Sequence, residues 1–125
     1  MEGKKLGEHW ILELVGCPEA LLDDLDFVKE SETEACRLAK AKFLNIATHK
    51  FEPQGVTAVV LLAESHLSIH TWPEEGYAGI DIFTCADHLT PGRACEYLIE
   101  RFQPSSHSTA VIERGTNVPT HPNRL

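Results

Sequence analysis

Apolar residues fall along this chain in short runs, and the spacing of those runs predicts an element map before any chemistry is considered. From Glu8 to Val15, EHWILELV reads as a first strand and stops at Gly16-Cys17-Pro18. Between Leu21 and Lys42, the residues Leu22, Leu25, Phe27, Val28, Ala35, Leu38 and Ala39 recur at broadly helical spacing, with Asp24 or Asp26 as the cap. Phe43 to His49 and Gly55 to Ala63 read as the second and third strands. His66 to Trp72 and Tyr77 to Cys85 read as a hairpin joined through Pro73-Glu74-Glu75-Gly76. Thr90-Pro91 opens a second helix that runs to about Phe102, with the proline near its first turn. His107 to Glu113 supplies a last strand after the Pro104-Ser105-Ser106 loop. Residues 116–125 hold two prolines and no apolar cluster, and read as a loose tail.

This pattern predicts an α+β domain over residues 1–115. The expected form is a two-layer α/β sandwich, a mostly antiparallel sheet with two helices on one face. Val56 to Ala63 is apolar on both sides, so helices on one face leave the other bare. A second copy packed sheet-to-sheet is the economical cover, and a homodimer is the expectation.

One segment cannot be a single element. Between Gly55 and Pro73 no Gly, Pro, Asn or Asp marks a turn, while β-favouring residues fill the run. As one strand, Gly55 to Trp72 would span roughly 60 Å. A domain of this length has a radius of gyration near ~14 Å. The chain must bend, and the polar step Glu64-Ser65-His66 is the expected place. A bend without turn-forming residues is a candidate for backbone strain.

Strain at a serine peptide has a chemical use, so the Glu64–Ser65 bond is expected to be the functional group itself. The Ser65 hydroxyl attacks the Glu64 carbonyl, and an N-to-O acyl shift turns the amide into an ester, helped by a donor for the oxyanion. A base then removes the Ser65 α-proton and expels the Glu64 carboxylate. The dehydroalanine left behind hydrolyses to a pyruvoyl group and ammonia. His70 is the natural base, since imidazole suits proton transfer near neutral pH. Strand alternation puts Ser65, Leu67, Ile69 and Thr71 on one face and His66, Ser68, His70 and Trp72 on the other. Either a bulge re-aims Ser65 or His70, or His70 of a second subunit serves Ser65; the second subunit is the preferred reading.

The stretch Glu64-Ser-His-Leu-Ser-Ile-His-Thr-Trp-Pro-Glu74 resembles the short prokaryotic S-adenosylmethionine decarboxylases. His49-Lys-Phe-Glu-Pro-Gln-Gly-Val56 before it and Gly79-Ile-Asp-Ile-Phe-Thr-Cys85 after it extend the likeness, which runs from about Gly7 to about Gly115. The resemblance implies that Ser65 becomes a covalent pyruvoyl cofactor, with a β chain of residues 1–64 and an α chain from 65 onward. It implies that His70 transfers the proton in processing and that Cys85 protonates the substrate α-carbon after carbon dioxide leaves. Glu74 would hold the ribose hydroxyls and Phe51 would stack on adenine. Thr57 stands where the family commonly has a processing serine, keeping the hydroxyl on a stiffer side chain. Trp72 is a further candidate for cation–π attraction to the substrate sulfonium. The implied reaction proceeds through a Schiff base and makes the aminopropyl donor for spermidine. The family's dimers carry composite sites at the subunit junction.

Composition agrees with a soluble protein of this kind. Apolar residues make up 42% and charged residues 24% of the chain, ordinary values for a globular domain. No run approaches the ~20 apolar residues of a membrane span, and Met1 to Leu6 lacks the apolar core of a signal peptide, so the cytosol is expected. Cys17, Cys36, Cys85 and Cys95 form no CxxC pair, and disulfides are not expected. A net charge of −8 argues against nucleic acid and mildly favours a cationic ligand such as S-adenosylmethionine.

Each residue has a plainer reading alone. Ser65 is then a turn serine, His70 a hydrogen-bonded strand histidine, Cys85 a buried small hydrophobe, Glu74 a solvated turn carboxylate and Phe51 part of the core. Two rival functions follow. A metal-binding module using His66, His70 and either His49 or Cys85 is disfavoured, because imidazoles at i and i+4 on one strand face are about 13 Å apart. A pyruvoyl-dependent arginine decarboxylase of the same fold is the other. A Ser-His hydrolase lacks a nucleophile elbow and an orienting acid.

Overall fold

The computed structural model describes residues 5–116 and 118–119. Six strands form one sheet: β1 (Gly7–Val15), β2 (Phe43–Lys50), β3 (Val56–Leu62), β4 (Ser65–Trp72), β5 (Tyr77–Thr84) and β6 (Ser106–Arg114). Their order is β2-β3-β4-β5-β1-β6, and every neighbouring pair is antiparallel. Helices α2 (Leu25–Leu38) and α3 (Pro91–Phe102) lie across one face, giving the expected two layers. A one-turn helix, α1 (Glu19–Leu22), precedes them and was not expected. The chain re-starts at Asp24, whose carboxylate accepts from Phe27 N–H at 3.0 Å, so Asp24 rather than Asp26 is the cap. The tail expected over 116–125 lies for the most part outside the described residues.

Alternation along each central strand decides what is inside. In β4 Leu67, Ile69 and Thr71 are buried while His66, His70 and Trp72 are exposed. Val56, Ala58, Val60, Ile80, Ile82, Leu12 and Leu14 join them on the helix-covered side. The helix contributes a stripe that differs from the expected one. Val28, Ser31, Glu32, Ala35 and Cys36 face inward from α2, whereas Leu25, Phe27 and Leu38 are only partly buried. Thr71 pins the sheet to the α1–α2 corner: its hydroxyl donates to the Leu22 carbonyl at 2.8 Å and accepts from Val56 N–H at 2.9 Å.

The other sheet face is left bare by this chain, as the apolar run Val56 to Ala63 requires. Leu61 (51% exposed), Trp72, Val15 and Ile112 stand on it, with Val59, Ile11 and Phe83 half-covered between them. Polar pairs are interleaved. His9 Nε2 lies 2.9 Å from Asp81 Oδ1, and the Tyr77 hydroxyl donates to Glu13. Burial, and then that bond to Glu13, pushes the Tyr77 phenol up to about 12.

Candidate active site

The bend expected at Glu64-Ser65-His66 falls one residue earlier. Only Ala63 and Glu64 connect β3 to β4, and Ala63 N–H donates to the Lys42 carbonyl at 2.9 Å. Neither residue has positive φ: among the described non-glycine residues only Lys40 and Gln103 do. The two-residue turns whose twist suits a hairpin need positive φ, so this turn is of neither type. The expected backbone strain therefore does not appear as a left-handed residue.

What the turn has instead is a donor on its carbonyl. Ser65 pairs with Thr84 in the β4–β5 register, which sets Cys85, the next residue, beside Glu64. Cys85 was expected inside the strand, but β5 ends at Thr84 and frees the thiol to turn inward on the hairpin tip. Its Sγ–H donates to the Glu64 carbonyl oxygen at 2.7 Å. The Ser65 hydroxyl, on the helix-covered side, is buried without a hydrogen-bond partner. An unpartnered hydroxyl and, on the preceding residue, a carbonyl that accepts from a thiol are thus neighbours. A cavity of about 380 Å³ opens next to them, lined by Glu8, Trp10, Thr84, Cys85, Asp87 and Pro91.

The remaining candidates gather at the far end of the same strand. Thr57 pairs with His70 across β3 and β4, and the Thr57 hydroxyl is hydrogen-bonded to His70 Nδ1 at 3.1 Å. A second cavity of about 370 Å³ is lined by Phe51, Gln54, Thr57, His70, Trp72 and Glu74. Phe51 and Trp72 are 45% and 44% exposed, surface rings rather than core. Gly55 (φ 118) and Gly76 (φ 64) supply the left-handed turns that bring Phe51 and Glu74 to this rim. Asp23 fastens the Phe51 loop by accepting from Gly55 N–H at 2.8 Å and pairing with Lys50 at 2.9 Å. Those partners hold its carboxyl below the usual range. Within one chain, Ser65 and His70 are five residues apart, about 16 Å along the strand, and on opposite faces. The candidate residues of one chain therefore fall in two separate clusters at the two ends of β4.

The model of the S-adenosylmethionine decarboxylase family matches residues 8–115. The S-adenosylmethionine decarboxylase proenzyme of Prochlorococcus marinus (strain MIT 9211) is 50% identical over 113 residues, covering 90% of this chain and 93% of that one. The chain belongs to the S-adenosylmethionine decarboxylase family. The proenzyme of Moorella thermoacetica is 44% identical over 116 residues, 93% of each chain. The crystal structure of the adenosylmethionine decarboxylase from Aquifex aeolicus VF5 shares 36% identity. It superposes with a TM-score of 0.86 over 98% of this chain and 100% of its own.

Within this S-adenosylmethionine decarboxylase fold, sequence reasoning passed over three groups near the two clusters. His88 lies 3.4 Å from the Glu64 carboxylate. Trp10 donates to Glu8 at 3.0 Å, in the first cavity. Gln54 lines the second. None of these residue types carries a local signal, and each is placed by register or loop closure. Burial pushes the thiols of Cys17 and Cys95 up to about 11 and that of Cys36 to about 12, away from thiolate chemistry. Among the described residues no group of three or more His, Cys, Asp or Glu is arranged to hold a metal ion.

Proposed function

We propose that this chain is a proenzyme that cuts itself between Glu64 and Ser65 and then decarboxylates S-adenosylmethionine to S-adenosylmethioninamine, the aminopropyl donor for spermidine. The pieces are residues 1–64 and 65–125. The observation that carries the reading is the Cys85 thiol on the Glu64 carbonyl beside an unpartnered, buried Ser65 hydroxyl. A thiol donating to that oxygen stabilises the oxyanion formed when Ser65 attacks. The Glu64–Ser65 amide becomes an ester without gain or loss of atoms. Removal of the Ser65 α-proton then expels Glu64 as a carboxylate that takes the serine oxygen with it. Water replaces nitrogen on the remaining carbon skeleton and ammonia leaves.

The residues at Ser65 fit the pyruvoyl group this produces. The group supplies an electron sink for the loss of carbon dioxide. Around it, Cys85 is the proton donor to the substrate α-carbon, Glu74 takes the ribose hydroxyls, Phe51 stacks on adenine and Trp72 faces the sulfonium. Thr57 orients His70 through the 3.1 Å hydrogen bond, and His70 is the processing base.

Two observations support a homodimer. The bare sheet face exposes Leu61, Trp72, Val15 and Ile112 to solvent, and Ser65 and His70 occupy opposite ends of β4. A second copy laid antiparallel across that face brings its Thr57–His70 end toward the Glu64–Ser65 turn. A cytoplasmic location accords with four free cysteines, and among the described residues no helix is long and apolar enough to cross a membrane.

The test is an intact-mass measurement on purified protein with Ser65→Ala alongside, followed by carbon dioxide release from S-adenosylmethionine and from arginine. Two fragments split at Glu64–Ser65, an uncut Ser65→Ala chain, and release from S-adenosylmethionine are expected. An uncut, active wild type rejects the mechanism, and release from arginine alone rejects the substrate.

A further inference from the structure

Self-cleavage leaves the Glu64 side chain unused, yet that side chain is a charge in an awkward place. It belongs to the residue whose carbonyl must become an oxyanion, so two negative charges develop within one residue. Its Oε1 is buried without a hydrogen-bond partner, and its Oε2 lies 3.4 Å from His88 Nε2. Among the described residues, His88 is the basic side chain within ion-pair distance of Glu64.

The loop that bears His88 is fixed at both ends. Cys85 begins it and is bonded to the Glu64 carbonyl. Thr90 ends it, donating through N–H to the Ala39 carbonyl at 3.0 Å and through its hydroxyl to the Leu38 carbonyl at 3.2 Å. Leu89 is buried beneath it. A single short loop thus grips both polar groups of Glu64, the carbonyl by a thiol and the carboxylate by an imidazole.

We propose that His88 is a positioning residue for self-cleavage. Its imidazolium holds the Glu64 carboxylate, offsets that charge as the neighbouring oxyanion forms, and keeps the carbonyl against Cys85. The proposal rests on the self-cleavage reading above. In the step it assists, the Ser65 Oγ–Glu64 carbon bond forms, the Glu64 carbon–Ser65 nitrogen bond breaks, and the hydroxyl proton ends on nitrogen. When the ester is later eliminated, Glu64 becomes a chain end with two carboxylates, and the same imidazolium is in place to pair with the added one.

The test follows the rate of cleavage of freshly made proenzyme by intact mass. It compares wild type, His88→Ala, His88→Lys, Glu64→Gln and the double variant Glu64→Gln/His88→Ala. His88→Ala is expected to slow cleavage roughly two- to fivefold, the range for a partly exposed ion pair. His88→Lys keeps a cation and should cleave at near the wild-type rate. Adding His88→Ala to Glu64→Gln should cost nothing more, because the charge His88 answers is gone. Equal slowing in both backgrounds, a His88→Lys as slow as His88→Ala, or a His88→Ala at wild-type rate each overturns the proposal while cleavage itself stands. A wild type that never cleaves rejects the self-cleavage reading and this proposal with it.

Discussion

Glu32 is the side chain whose replacement should raise stability most. It points from α2 into the core, is 0% exposed, and neither carboxyl oxygen has a partner. Burial raises its pKa to about 10. A carboxyl that is raised in the folded chain stabilises the fold relative to higher pH only below its unfolded value, near ~4.3, and stability falls as pH climbs toward the folded value. At pH 7 the unfolded chain releases a proton that the folded chain retains, which costs about 3–4 kcal/mol of stability. Glu32→Gln removes the titration while keeping shape, and Glu32→Met removes the buried polar burden as well. For 125 residues the unfolding entropy is about 0.26 kcal/mol/K, so a gain of about 3 kcal/mol raises Tm by about 10 °C. Both variants belong in a Ser65→Ala background, so that one covalent chain unfolds, with Tm followed by circular dichroism at fixed protein concentration. The advantage over Glu32 should shrink by about 1.4 kcal/mol for each pH unit lowered between 7 and ~4.5, then level off. An advantage independent of pH, or a Glu32→Gln less stable than its parent at pH 7, would refute the reasoning.

Three further outcomes follow from the two clusters and their supports. Cys85→Ala should slow cleavage about 10–100-fold by removing the donor to the Glu64 carbonyl, and the fragments that do form should decarboxylate poorly; fragment mass against time and carbon dioxide release check both. Ser65→Ala and His70→Ala chains, each expected to remain uncut alone, should yield cut His70→Ala chain when co-expressed, because Ser65 of one then meets His70 of the other; absence of cut chain argues for a site within one subunit. Thr71→Val leaves Val56 N–H and the Leu22 carbonyl without their hydroxyl partner inside the core, and should cost about 2 kcal/mol in urea unfolding of the Ser65→Ala chain.

The strands were legible because each central one alternates, and alternation in β4 alone separated Ser65 from His70 before any coordinate was known. The helix faces were less so. Spacing selected Leu25, Phe27 and Leu38, but the inward stripe of α2 runs through Ser31, Glu32 and Cys36, since a polar side chain in a helix reads as solvated unless tertiary packing forces it inside. The Ala63–Glu64 turn gave no residue signal, and only the length of the run betrayed it. The candidate site residues came from resemblance; their contacts did not. Cys85 and Glu64 are 21 residues apart, and their meeting depends on the β4–β5 register, as does the approach of His88. Glu32 and His88 share this blindness, because an unpaired acid and a loop histidine announce nothing without their surroundings.

If the chain cuts itself as proposed, the hydrogen bond from Cys85 to the Glu64 carbonyl would work as a safety catch. While the chain is whole, the thiol proposed as the proton donor is bonded to the Glu64 carbonyl. Under the proposed scission that carbonyl becomes the carboxylate of a chain end no longer tethered to residue 65, so the cut that would create the ketone also unties the group that holds the thiol. On that reading an uncut molecule lacks both the ketone and a free thiol.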